Sequence, residues 1–534
     1  MKTSTTVKSL LALATLCSTA AFAQVYQRAD TIPVGPGGNN PPTLLEAVVA
    51  TQDGGYIAVG REAMNYIHFA RYDQAGTVVW SRYLPTNYNA AEATSINQLG
   101  AAANPTFVIA GEVADAFPWG TWTMQIDGAG NIVCPMREIN GVGPNAASSR
   151  SPVAVKPLVD GSYVVTGRSQ FASTALTYGR LTRFAPGCAG VMWSMIYQPT
   201  AGVPGLTGAC EITDVVEEPG DAYLLAVGTA AVVNDASVPF LLRVNKFNGA
   251  VVQARFYGNG DPQQAVRGDG LDYSYNAAGA IDGYVFDGRS NPNIAGAPSP
   301  TSNYVVKVNG GLGVIWGDMI PDFEPCHAGV RAYGNTTLLA GTHFDANNTP
   351  DVRGTLLNSL AGGQVWSFNY GQGLDRGLGV SITAGTPVSP VGPIIVGVGG
   401  TTALQTGYLV KAKIVNGTTG GCETPVPAPA PRSIEVGAQF IAQAVQNLRA
   451  IETPYIAEQM RTVNACVPVH PVCCNPDFNN DGDIGTDADI ESFFACLGGS
   501  CCATCGSADF NCDGDIGTDG DIESFFRVLS GGPC

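Results

Sequence analysis

The chain has 534 residues, 45% of them apolar and only 13% charged, and 27 Lys and Arg against 44 Asp and Glu give a net charge of −17. That composition excludes a disordered polyelectrolyte and a nucleic-acid binder that works by counterion release from a basic face. No apolar run beyond residue 25 reaches the roughly 18 residues needed to span a bilayer, so the sequence reads as a soluble, turn-rich chain of more than one domain.

Residues 1–23 read as a signal peptide. Lys2 and Lys8 form a basic start, Leu10 to Ala21 is apolar, and Ala21-Phe22-Ala23 fits a cleavage site that leaves Gln24 first. A membrane anchor is the competing reading, but the run is too short. Cys17 is no lipid site, because Leu16 stands where a small residue is needed. Export to the cell surface or beyond follows. Cysteine usage agrees: of 15 Cys, ten fall in 422–534, a density that reads as disulfide stapling. Cys502 and Cys505 form a CxxC, but no second pair accompanies it, which argues against zinc.

Residues 24–421 repeat themselves. A short apolar strand ending in Gly recurs as Tyr56–Gly60, Phe107–Gly111, Tyr163–Gly167, Tyr223–Gly228, Tyr284–Gly288, Leu338–Gly341 and Ile394–Gly397. Asp-Gly pairs such as Asp53-Gly54, Asp160-Gly161 and Asp282-Gly283 precede most copies and signal hairpins. A further strand and a Gly turn with a Trp follow, as at Trp80, Trp193, Trp316 and Trp366, with Cys134 and Gln253 in the Trp slot of two copies. With one alternating stretch before each copy, the unit has four strands. Seven such units predict a mainly β fold, a seven-bladed β-propeller, which divides the burial that one core of this size could not hold. The seventh copy lacks a fourth strand before Asn416. The mature N-terminus, Val25 to Ile32, is expected to supply it and close the last blade.

The phrase Asp53-Gly-Gly-Tyr-Ile-Ala-Val-Gly60, followed later by Gly76-Thr-Val-Val-Trp80, resembles repeats of secreted bacterial propellers of the kelch-like and quinoprotein-like type. The longer docking motif of quinoprotein dehydrogenases is absent, so the Trp residues are expected to pack between blades.

Residues 422–472 read as a Pro-rich linker with a helix from Ile434 to Ile451, where Val436, Phe440, Ala444, Leu448 and Ile451 fall at helical spacing. The last 62 residues, 473–534, repeat at a spacing of 32. Asp477, Asn479, Asp481 and Asp483 occupy loop positions 1, 3, 5 and 7 around Gly482, and Asp509, Asn511, Asp513 and Asp515 do so around Gly514. Hard oxygen ligands in this order fit calcium, at two sites. The closing carboxylate falls one residue late, on Asp489 and Asp521, with Asp487 and Asp519 as rivals. Ile490, Phe493, Phe494 and Leu497 form the buried face of the helix that follows. This pair of loop-helix units resembles a dockerin of the Gly/Cys-rich kind in exported planctomycete-type proteins. The resemblance implies Ca²⁺ and a cohesin-like or surface scaffold receptor as partner, with Thr486, Asp487, Thr518 and Asp519 facing it. Matching offsets suggest Cys473–Cys502 and Cys505–Cys534 pairs among the 105 pairings eight cysteines allow.

No catalytic signature stands out around the four His residues, 68, 327, 343 and 470. His327 beside Cys326 reads as a strand residue, and Glu217-Glu218 as a solvated turn. Two functions remain. The first is a non-catalytic binding and display protein, whose propeller takes a glycan or protein ligand while the tail anchors it. The second is a secreted polysaccharide-acting enzyme carried on a dockerin, which requires acidic residues converging at the mouth of the central channel.

Overall fold

The computed structural model describes residues 26–31, 43–62, 66–86, 88–99, 105–114, 119–139, 153–170, 176–201, 205–220, 222–233, 236–257, 264–292, 302–345, 349–370, 376–383, 392–401, 404–412, 414, 419, 424–425, 435–437, 439–444, 448–450, 456–458, 461–464, 476–479, 485–498, 500, 502, 508, 510 and 517–530. The chain divides into a larger part, Met1–Ala465, and a C-terminal part, Cys466–Cys534.

The larger part is mainly β. It contains seven four-stranded antiparallel repeats, whose strands we letter a to d from the inside out. In the first repeat they are Thr43–Ala50, Tyr56–Glu62, Tyr66–Tyr72 and Val78–Pro85. Strand a of each repeat packs beside strand a of the next, and Arg376–Thr383 of the seventh packs beside Thr43–Ala50 of the first. Strand d of the seventh repeat is the N-terminal segment Tyr26–Thr31, which pairs antiparallel with Leu404–Lys411.

Alternation along the strands explains why the b strands read as unbroken apolar runs. Tyr56 and Ala58 bury against Ile394 and Val396 of the seventh repeat. Their neighbours Ile57 and Val59 bury against Phe107, Ile109 and Trp122 of the second. Both faces of each sheet are covered, so polar residues have no face to occupy. The same two-sided packing gives one apolar cluster at each of the seven junctions. Each fully buried Val, Leu, Ile or Phe contributes about 1.5–3 kcal/mol to holding neighbours together.

A clasp is added at every junction, in six of the seven onto the next repeat's turn between strands c and d, and in the other onto Ile414, just past strand c of the seventh repeat. The indole N–H of Trp80 donates to Gly128 O (3.2 Å), Trp193 to Lys246 O (2.8 Å), Trp316 to Ser359 O (3.0 Å) and Trp366 to Ile414 O (2.8 Å). Where the Trp is missing, other chemistry replaces it. Gln253 donates to Gly311 O (3.2 Å), and Lys411 closes the cycle onto Gln74 O (3.0 Å). Cys134 forms a disulfide with Cys188, a pairing that the sequence analysis did not anticipate.

The Asp of the a–b turn does more than shape a hairpin. It holds the basic residue of strand c, as in the pairs Asp53–Arg71, Asp160–Arg183 and Asp282–Lys307. Burial alone would raise the Asp160 carboxyl, but hydrogen bonds from Ser162 and the charges of Arg183 and Lys246 outweigh it and pull it to about 2. The sign is that of a depressed acid. Its stabilisation is complete above the ordinary value of 3.8 and is lost as pH falls toward 2. Asp160→Asn is expected to flatten the acid limb of the stability profile between those limits, read from urea midpoints at stepped pH.

Glu217 and Glu218 correct the expectation of a solvated turn. Both are buried, because Lys246 Nζ lies 2.6 Å from Glu217 and Arg243 Nε 2.6 Å from Glu218.

The helix expected over 434–451 is also corrected. The described residues of 422–465 are short strands that add a fifth, outer strand to six repeats. Thr424–Pro425 joins the sixth repeat, Glu435–Gly437 the fourth, Gln439–Ala444 the third, Leu448–Ala450 the second, Ile456–Glu458 the first and Arg461–Asn464 the seventh. The outer d strands present unpaired N–H and C=O groups, and satisfying them outweighs the helical spacing of the side chains. The described residues of this span thus belong to the larger part.

In the C-terminal part, α1 (Asp487–Leu497) and α2 (Asp519–Leu529) each start with a capping box, Thr486 with Asp489 and Thr518 with Asp521. Gly485 (φ 70°) and Gly517 (φ 71°) take the left-handed turn just before each cap. Phe478, Phe493, Phe510 and Phe525 form the core, with Phe493 and Phe525 stacked at 4.1 Å. Phe494, expected on the buried face, is instead 45% exposed beside the equally exposed Phe526.

Candidate active site

The repeated Gly at the end of strand b marks where the inner strands bulge. An added Cβ would lie 1.9 Å from Leu44 O at Gly60, 1.9 Å from Glu92 O at Gly111, 2.1 Å from Glu211 O at Gly228, 1.7 Å from Arg267 O at Gly288 and 2.1 Å from Glu324 O at Gly341. No side chain fits between strands that close. The pairing of a with b shifts register at this level, between Leu45 and Ala47, Ala93 and Ser95, Ile212 and Asp214, and Pro325 and Val330. Such bulges re-aim side chains next to functional sites.

Here they turn charged groups into one cavity. Glu46, Glu92, Glu112 and Glu324, from three different repeats, line a space of about 200 Å³ together with Arg289, His327 and Thr342. Glu92 and Glu112 are both buried and stand directly opposite each other across strands a and b of the second repeat. Arg61 Nε lies 3.8 Å from Glu92, and Arg289 pairs with Glu324. Cys326 and His327 also border the cavity. Burial drives the thiol far above its ordinary value and pulls the imidazole down to about 4, so near neutral pH both are uncharged and neither is an activated nucleophile.

None of these carboxyls was singled out from the sequence. They come from the first, second and sixth repeats, so no local motif joins them. The available signal was a charge at the rim of an otherwise apolar unit, at Arg61, Glu112 and Arg289 immediately after the repeated Gly.

The expected calcium ligands are placed only in part. Asp481, Asp483, Asp509, Asn511, Asp513 and Asp515 lie outside the described residues. Of the closing candidates, Asp489 and Asp521 are buried, while Asp487 and Asp519 are exposed. The Asp489 carboxylate accepts the N–H of Thr486 (2.8 Å) and of Asn479 (3.2 Å), so it folds back over the start of its loop. Among the described residues no three His, Cys, Asp or Glu side chains form a metal-binding group. Cys502 and Cys496 are each in a disulfide; Cys473, Cys505 and Cys534 lie outside the described residues. No helix among the described residues is long and apolar enough to cross a membrane.

No family model and no curated protein matches the chain. Solved structures do. The GH93 α-L-arabinofuranosidase of Fusarium graminearum with arabinobiose is 13% identical at a TM-score of 0.36, covering 61% of this chain and 95% of that one. The α-L-arabinanase of Penicillium chrysogenum with arabinobiose is 11% identical at a TM-score of 0.35, covering 59% and 92%. Both of these proteins are glycoside hydrolases, on the side of the polysaccharide-acting alternative, and the non-catalytic display role placed first in the sequence analysis is corrected to that alternative. At these TM-scores the likeness transfers neither residues nor substrate, and the enzyme reading rests on the cavity.

Proposed function

We propose that the chain is an exported polysaccharide-acting enzyme, a hydrolase or lyase, working at the mouth of a closed seven-bladed β-propeller. The observation that carries this is the convergence of Glu46, Glu92, Glu112 and Glu324 on one cavity. Cleaving a glycosidic bond takes one carboxyl that donates a proton and another that stays charged. Two buried carboxyls on facing strands do not both ionise readily. We assign the proton donor to Glu112, which stands opposite Glu92 across strands a and b. Glu324, paired with Arg289, serves as the charged base or nucleophile. The propeller reading is supported by the cyclic packing of seven inner strands and by the N-terminal strand in the seventh repeat.

The C-terminal part, on this proposal, is a dockerin-like pair of calcium loops that holds the enzyme to a cohesin-like or surface scaffold receptor. The inward-turned Asp489 and Asp521 fit the role of closing ligands, and bound Ca²⁺ would stiffen the loops.

The test is product release by the full chain on a panel of polysaccharides, arabinan and uronate-rich pectins included, assayed for new reducing ends and for unsaturated products. Glu112→Gln and Glu324→Gln are each expected to lower kcat by about 100-fold or more with unchanged melting. Retention of a glycan without any product from the wild-type chain sinks the enzyme reading.

A further inference from the structure

Close to this cavity, but not on its wall, is a set of oxygen atoms for which the proposed chemistry has no use. Asp287 and Asn303 are fully buried and Asp269 is 5% exposed, so none of the three can touch a polymer. Asp287 Oδ1, Asn303 Oδ1 and Asp269 Oδ2 are buried without a hydrogen-bond partner. Buried polar atoms are nearly always satisfied, and a group of orphans points to a missing water or ion.

The backbone brings the three together. Asp269 N–H donates to Asp287 O at 2.9 Å, and Asn303 Nδ2 lies 3.3 Å from Asp287 Oδ2. Asp287 shares a strand face with Val285, and Asn303 with Val305. Both Val residues pack on Phe323 and Leu339 of the sixth repeat. The orphan oxygens of Asp287 and Asn303 therefore face the junction of the fifth and sixth repeats.

The chemistry of the orphans favours an ion over water. All three are oxygens that accept, and one water has only two protons to offer, whereas a cation serves all three at once.

We infer that Asp269, Asp287 and Asn303 hold a divalent hard cation of the calcium class at the inner end of the junction between the fifth and sixth repeats. Carboxylate and amide oxygens without thiolate or imidazole are the donor set such ions take. The site is separate from the tail loops and does not depend on the glycan chemistry.

All six Trp residues, at 80, 119, 122, 193, 316 and 366, belong to the larger part. Melting of the full chain followed by Trp emission therefore reads that part, and calcium taken up by the tail is silent. Millimolar CaCl₂ is expected to raise this transition by about 3 °C over EDTA. Asp287→Asn and Asn303→Ala should each remove most of the rise. The assignment is overturned if wild type shows no rise, if NaCl at matched ionic strength gives the same rise, or if both variants keep it.

Discussion

Gly288→Ala is expected to destabilise the larger part by about 3 kcal/mol or more, whereas Gly310→Ala should leave its denaturation midpoint unchanged. At Gly288 the new Cβ would sit 1.7 Å from Arg267 O and 2.7 Å from the carbonyl carbon. Both obstacles are backbone, so no rotamer change relieves them. The inner strand must move away, and the pairing of Arg267 N with Arg289 O (2.7 Å) goes with it. At Gly310 an added Cβ meets nothing within 4 Å. A small difference between the two variants would mean that the close approach at the bulge can be relaxed cheaply, and that the repeated Gly needs another explanation.

Lys246→Met is expected to lose about 3–5 kcal/mol, the range for removing one member of a buried ion pair. Lys246 is fully buried, with Nζ 2.6 Å from Glu217 and 3.3 Å from Asp160. Removing the ammonium leaves Glu217 buried and charged, with only the N–H of Val159 (2.6 Å) at its other oxygen. The double variant Lys246→Met, Glu217→Gln should recover much of the loss, because it removes both charges. Urea midpoints of the four proteins give the coupling directly. Additive losses would show that Lys246 acts through packing, not through its charge.

The strands were legible in the sequence because each repeat is short, regular and punctuated by Asp-Gly turns. Legible too was the role of Tyr26–Thr31, since the seventh copy ran out of chain one strand early. The acidic cavity was not, because Glu46, Glu92 and Glu324 lie far apart in the chain and meet only in the folded protein. Glu217 and Glu218 misled for a related reason: their cations, Lys246 and Arg243, lie a full hairpin downstream. The outer strands of 435–450 were misread because helical spacing is a property of side chains. What decided the matter there was the backbone hunger of an exposed sheet edge, which spacing does not record.

The outer strands also bear on how the molecule is made. From residue 424 to 464 the chain visits the sixth, fourth, third, second, first and seventh repeats, against the direction in which they were laid down. Like a hoop around staves, it comes in the chain after every sheet that it caps. A chain interrupted before that point keeps six bare rims, each able to zip onto the rim of a neighbour, so unfinished copies should clump where finished ones stay apart.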